Sequence, residues 1–265
     1  MRSGVRPKKR LSQNFLIDPN IAGKIVKSMN IGPHDHIVEI GPGEGILTKY
    51  LIESPADSIT AIEKDDRLIP HLIHQFGHHS SFSLMHGDFL EIRIQELASR
   101  EQPIRVIGNL PYHITSPILF QILQQKERIR DITVMVQQEV AERLAARPDT
   151  KAYGIPSVLF QTAGSIEILF HVSGNAFRPV PEVNSTVLRI AFFQTDRYII
   201  KDWAFFQKLV RTAFNQRRKM LRNTLKPWIS HDYSHPVPLT GRPEHLTVND
   251  WVSLTNYLKE QTPVH

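Results

Sequence analysis

Four polar or glycine stations recur at nearly equal intervals in the first half of the chain, and that spacing restricts the fold more than any other feature. Gly41, Glu63, Asp88 and Asn109 are separated by 22, 25 and 21 residues. Each closes a short apolar run, at 36–40, 59–62, 82–85 and 104–107. Such runs, bounded by turn formers, read as buried strands. The intervals leave room for helices, with one from Ile46 to about Glu53 and another after Asp65 or Asp66. A fifth strand at 131–136 leads into a helix from about Gln138 to Ala146. This alternation predicts an α/β fold, a mostly parallel sheet with helices on both faces. Ligands of such sheets bind beyond the carboxyl ends of the strands, where all four stations fall.

The flanking segments are read by the same rules. Residues 1–10 have no periodicity and form a basic arm. Asp18 or Asn20 caps a helix with Pro19 in its first turn, running to about Met29. Residues 147–157 are a loop entering a helix near Ser157, 165–172 a strand, 177–183 a proline-stiffened loop and 185–193 a further strand. The last two strands are expected to close the sheet as a hairpin. Beyond Phe193 the pattern is helical, over 203–215, 216–225 and 248–258. The expected domains are therefore 1–10, an arm; 11–194, the α/β domain; and 195–265, a small helical domain.

Charge is unevenly placed. The net charge is +6, but residues 1–10 carry five basic and no acidic side chains, residues 11–190 carry 16 basic and 20 acidic, and residues 191–265 carry 11 and 6. A mildly acidic body between two basic ends suits a polyanion gripped from both sides. With no cysteine, disulfides, thiolate metal sites and a cysteine nucleophile are excluded, and a reducing cytoplasm fits. No stretch is apolar for long enough to span a membrane, and no apolar segment follows the basic N-terminus as in a secretory signal.

The stations suggest a chemistry. Residues 41–45 read G-x-G-x-G rather than the dinucleotide fingerprint, and Glu39 and Glu44 flank them. Carboxylates there would repel a pyrophosphate and suit a cation. S-adenosylmethionine has a sulfonium and an ammonium group and no phosphate. Glu63 is placed for ribose hydroxyls, Asp88 for the adenine amine, and Phe89 for packing on that ring. Asn109, Leu110, Pro111 and Tyr112 then offer an amide oxygen, a carbonyl and an aromatic face. An exocyclic amine is a poor nucleophile because its lone pair is delocalised into the ring. Acceptors on both its hydrogens favour a localised lone pair, and Asn109 and Leu110 supply two. Tyr112 can stack on the base.

With these motifs in order, the chain resembles the ribosomal RNA adenine N6,N6-dimethyltransferases, the kasugamycin-resistance family. The resemblance runs from about residue 9 to 225. It is carried by LSQNFLID at 11–18, EIGPGEG at 39–45, GD at 87–88, NLPY at 109–112, VQQEVAER at 136–143, FRPVPEV at 177–183 and FNQRRKMLRN at 214–223. It implies a Rossmann-like class I methyltransferase domain with a small helical C-terminal domain. The implied activity is S-adenosylmethionine-dependent dimethylation of two adjacent adenosines near the 3′ end of small-subunit rRNA, by a cytoplasmic monomer acting on the assembling subunit. Asn14, Leu16, Gly41, Gly43, Glu63, Asp88, Phe89 and Asn109 are then expected at the cofactor, and Asn109, Leu110, Tyr112 and Phe177 around the target amine, with Phe177 stacked on its second face. Arg6, Lys8, Lys9 and Arg10 in the arm, with Arg217, Arg218, Lys219 and Arg222, are the expected RNA contacts. Ser12 stands where the family often has Gly, and His113 where it often has Asn.

Other features stay structural. His71, His74, His78 and His79 lack the spacing of a metal site, so no metal is expected. Two alternatives remain at this stage. One is a large-subunit rRNA adenine-N6 methyltransferase of the antibiotic-resistance type. The other is a non-catalytic ribosome-assembly or transcription factor on the same scaffold.

Overall fold

The computed structural model describes residues 14–98, 102–195 and 197–261. These fall into two compact units, one made of 14–141 and 167–194, the other of 142–166 and 195–261.

The first unit holds the sheet. Its strands are β2 (His36–Ile40), β3 (Ser58–Glu63), β4 (Phe82–His86), β5 (Ile104–Asn109), β6 (Ile129–Gln137), β7 (Gly164–Val172) and β9 (Ser185–Phe192), in spatial order β4-β3-β2-β5-β6-β9-β7. The first five strands in that order pair in parallel, and β9 runs antiparallel to β6. The chain steps outward from β2 to β3 to β4, then crosses back to β5 on the other side of β2. That reversal opens a crevice between β2 and β5. The close approach there depends on glycine. A Cβ on Gly108 would stand 2.7 Å from the Ile40 carbonyl oxygen.

Helices α1 (Pro19–Ser28), α2 (Ile46–Ile52), α3 (Ile69–Phe76) and α4 (Thr115–Gln124) belong to this unit. As expected, Asp18 caps α1, accepting from the Asn20 and Ile21 N–H groups at 2.9 and 3.2 Å. The sequence reading places no helix between Tyr112 and Asp131, yet α4 occupies 115–124, burying Ile118, Leu119, Ile122 and Leu123. A short ribbon, β1 (Phe15–Leu16) with β8 (Phe177–Arg178), ties the N-terminal segment to the proline-stiffened loop.

The one charge in β5 has a structural purpose. Arg105 is buried, gripping both Asp131 oxygens at 2.8 Å and one Asp35 oxygen at 2.7 Å, with a further bond to the Met29 carbonyl. It lies at the start of the strand, at the opposite end from Asn109.

The second unit corrects the expected boundaries. Residues 142–166, expected within the α/β domain, cluster with the C-terminal segment. The reason is apolar: α6 (Ile155–Ala163) buries Val158, Leu159 and Phe160, and it packs on α7 (Trp203–Asn215) and α9 (Val248–Gln261). Tyr153 is buried, donates to the Leu246 carbonyl and meets Phe214, which lies against Trp251. The expected helix over 216–225 is shorter. Helix α7 ends at Asn215 and only α8 (Leu221–Thr224) follows. Helix α5 (Gln138–Ala145) starts in the first unit and ends in the second, and β7 does the reverse. Among the described residues no helix is long and apolar enough to cross a membrane.

Candidate active site

A cleft opens at the carboxyl ends of β2 and β5. Asn14, Leu16, Gly41, Gly43, Glu63, Asn109, Leu110 and Tyr112 all line it, so eight expected site residues from four separate segments meet there. Phe15, Pro42, Glu44, Ile46, Leu47 and Pro111 complete the wall. Four of these six, Phe15, Pro42, Glu44 and Pro111, adjoin expected site residues in sequence, and Ile46 and Leu47 do not.

Backbone geometry prepares the cleft. Gly43 has φ of +60°, and a Cβ there would stand 3.0 Å from the Phe15 ring, so only glycine fits. Its N–H donates to Glu63 Oε2 at 3.1 Å, while the Asp65 N–H donates to Oε1 at 2.7 Å. The glycine loop is thus anchored to the strand-end carboxylate. Burial pushes the Glu63 carboxyl up, and these two N–H groups work against that. Glu39 lies fully buried below. Thr48 Oγ1 donates to its Oε2 at 2.6 Å, and Oε1 has no partner among the described residues. Burial raises its pKa to about 7, the Thr48 bond opposes this, and the Glu63 charge adds to it.

Asn109 is held by a backbone group 95 residues away. Its Nδ2 donates to the Asn14 carbonyl at 2.9 Å, so the amide's acceptor atom, Oδ1, is the one left for a ligand. Leu110 N–H donates to the Met135 carbonyl and its side chain is buried, which fixes the turn. Thr115 Oγ1 donates to the Pro111 carbonyl at 2.9 Å. The Tyr112 hydroxyl pairs with Ser185 Oγ at 2.8 Å, a contact across 73 residues that local sequence patterns cannot reveal. Burial raises the Tyr112 pKa, so the phenol stays neutral.

Some expected residues lie elsewhere. Asp88 and Phe89 follow β4 and are outside the cleft lining. Asp88 accepts from Leu90 N–H at 3.0 Å and pairs with Lys64 at 2.5 Å. Burial pushes its carboxyl up, but these partners outweigh it and hold it below the usual range. Phe89 is buried rather than open to a ring. Phe177 is also buried. It pairs with Leu16 across the ribbon and joins a core with Val172, Ala176 and Val187, so it presents no free face to a base. An apolar side chain facing the core gains more from burial than from a half-wet cleft wall. Arg217, its side chain 35% exposed, donates to the Thr150 and Lys151 carbonyls at 3.0 and 2.7 Å, with Glu244 at 3.6 Å. Arg218, Lys219 and Arg222 are exposed, as is His113, which does not line the cleft. Arg6, Lys8, Lys9, Arg10 and Ser12 lie outside the described residues. No group of metal-ligand type occurs among the described residues.

Comparison with known proteins places this geometry in a family. Residues 4–260 match the family model described as ribosomal RNA adenine dimethylase. The chain belongs to that family. It is therefore an enzyme of the rRNA methyltransferase class, and rRNA is its substrate class. A protein of Prosthecochloris aestuarii (strain DSM 271 / SK 413), named ribosomal RNA small subunit methyltransferase A, is 43% identical over 253 residues, or 95% of this chain and 94% of that protein. Its namesake from Pseudomonas savastanoi pv. phaseolicola (strain 1448A / Race 6) is 41% identical over 258 residues, 97% of this chain and 96% of the relative. Among solved structures, a dimethyladenosine transferase from Plasmodium falciparum superposes with a TM-score of 0.79 at 20% identity, covering 93% of this chain and 98% of that one. The 23S rRNA methyltransferase ErmE superposes with a TM-score of 0.72 at 23% identity, covering 93% and 100%. Both likenesses bear on the fold, which is the expected class I methyltransferase fold.

Proposed function

We propose that this enzyme uses S-adenosylmethionine to dimethylate N6 of two adjacent adenosines near the 3′ end of small-subunit rRNA, as a cytoplasmic monomer acting during subunit maturation. The observation that carries the reading is the meeting of Asn109, Glu63 and the Gly43 loop in one cleft at the β2–β5 crevice. The chemistry of that donor set fits the cofactor. Buried carboxylates suit a cation, and the Gly43 loop, where a side chain would clash with Phe15, lets backbone approach a ligand.

Bound there, S-adenosylmethionine supplies a methyl group activated on sulfonium. The protein's part is positioning and electrostatics. Glu63 takes the ribose hydroxyls, and Asp88 accepts from the cofactor's amine. Asn109 Oδ1 and the Leu110 carbonyl accept the two hydrogens of the target amine, turning its lone pair toward the cleft. Tyr112, locked by Ser185, stacks on the base. No strong general base is required, because the methylated ammonium loses its proton readily. Arg218, Lys219 and Arg222, exposed on the second unit, and the basic arm grip the phosphate backbone.

The test is to supply labelled S-adenosylmethionine with small subunits lacking the modification, with large-subunit rRNA and with duplex DNA. Label is expected in the small subunit. Label confined to large-subunit rRNA or to DNA would overturn the assignment.

A further inference from the structure

Helix α4 connects two turns that serve different ends of the proposed reaction. At its start Thr115 holds the Pro111 carbonyl, in the turn that carries Leu110 and Tyr112. Six residues on, about 9 Å along the axis, Gln121 reaches the turn after β4. Its Nε2 donates to the Phe89 carbonyl at 2.8 Å and to the Ile92 carbonyl at 2.9 Å. A side-chain amide nitrogen has two hydrogens, and here both hold one turn closed at two points. Asp88 belongs to that turn, capping it through Leu90 N–H. Its other partner, Lys64, sits on a side chain 59% exposed, a poor anchor by itself.

We propose that Gln121 is a positioning residue for the adenine of S-adenosylmethionine, bracing from α4 the turn that carries Asp88. The proposal rests on the assignment of Asp88 to the cofactor's amine. Gln121 does not line the cleft around Asn109, so it acts through the turn and not on the reacting atoms. Without the brace, two carbonyls lose their donor and the turn relaxes. A hydrogen bond to an amine tolerates only a few tenths of an ångström of displacement before it weakens. Cofactor affinity should fall while the target-amine acceptors keep their places.

Calorimetric titration with S-adenosylhomocysteine tests this on Gln121→Met, Asp88→Ala and the double variant. Gln161→Met serves as the control, because Gln161 Nε2 makes the same pair of hydrogen bonds, to the Leu144 and Ala146 carbonyls at 2.9 and 2.8 Å, within the second unit. Gln121→Met should weaken binding about tenfold. The double variant should be little worse than Asp88→Ala alone, as expected for two residues on one path. Turnover at saturating cofactor should fall much less than affinity does, and Gln161→Met should bind like wild type. Unchanged affinity in Gln121→Met, fully multiplying effects in the double variant, or an equal loss in Gln161→Met would overturn the proposal. Wild-type affinity in Asp88→Ala would instead sink the adenine assignment beneath it.

Discussion

Replacing Glu39 by glutamine should stabilise the protein at alkaline pH and leave it unchanged at acid pH. Burial raises the Glu39 pKa from its ordinary 4.5 to about 7 in the folded chain. Between these values the folded protein holds a proton that the unfolded chain has released. Stability from this group is therefore intact below pH 4.5, falls as pH rises through that window, and reaches its floor above about 7. The total swing is about 3 kcal/mol. Glutamine has the same shape and keeps an acceptor for Thr48 Oγ1, now at 2.6 Å from Oε2. Its amide nitrogen takes the place of Oε1, an atom that already lacks a partner among the described residues. Urea unfolding of the cofactor-free protein at pH 5 and pH 8 follows the change. The variant should exceed wild type by less than about 1 kcal/mol at pH 5 and by about 3 kcal/mol at pH 8. Equal stabilities at pH 8, or a variant weaker there, would refute the account.

Four further outcomes follow from particular contacts. Asn109→Ala should cut methyl transfer at least a hundredfold in a filter assay while leaving RNA binding near wild type, because the amide acts on the reacting amine. Alanine at Arg217 should lower the unfolding temperature, since the Thr150 and Lys151 carbonyls lose their donor; alanine at Arg218, Lys219 and Arg222 together should instead reduce the salt slope of RNA binding, by about 2 to 3 in log–log terms. Arg105→Met should cost about 3 kcal/mol or more in urea unfolding, because Asp35 and Asp131 stay buried with fewer cations.

The sheet was legible because a parallel βα unit repeats at a nearly fixed length. Each strand then ends on a residue that the chain cannot use as core. The crevice followed from the same register, and Asn109, Glu63 and Gly43 meet where the spacing placed them. Helix α4 was hidden. Its sequence, TSPILFQILQ, carries no acidic residue in its first turn and no side-chain cap, so only Thr115-Ser116-Pro117 marks its start. Phe177 and Arg217 show a second limit. Motif position suggested a stacking face and an RNA contact. Whether the protein itself engages an aromatic or cationic side chain depends on what distant segments offer it. Leu16 and the carbonyls at 150–151 are 161 and 66–67 residues away. The grouping of 142–166 with the C-terminal helices is of the same kind, fixed by α6 burying its apolar face against α7 and α9.

The hold on Asn109 comes from the peptide carbonyl of Asn14, and a carbonyl is common to all twenty residues. A scan that changes the segment's own side chains one at a time leaves this contact in place at every step. What it depends on is the ribbon. Phe15 and Leu16 are registered against Arg178 and Phe177, so whichever residue precedes Phe15 presents its carbonyl to Asn109. For this contact the segment works through its backbone alone, and its mutational signature is sensitivity to proline, which removes a ribbon donor.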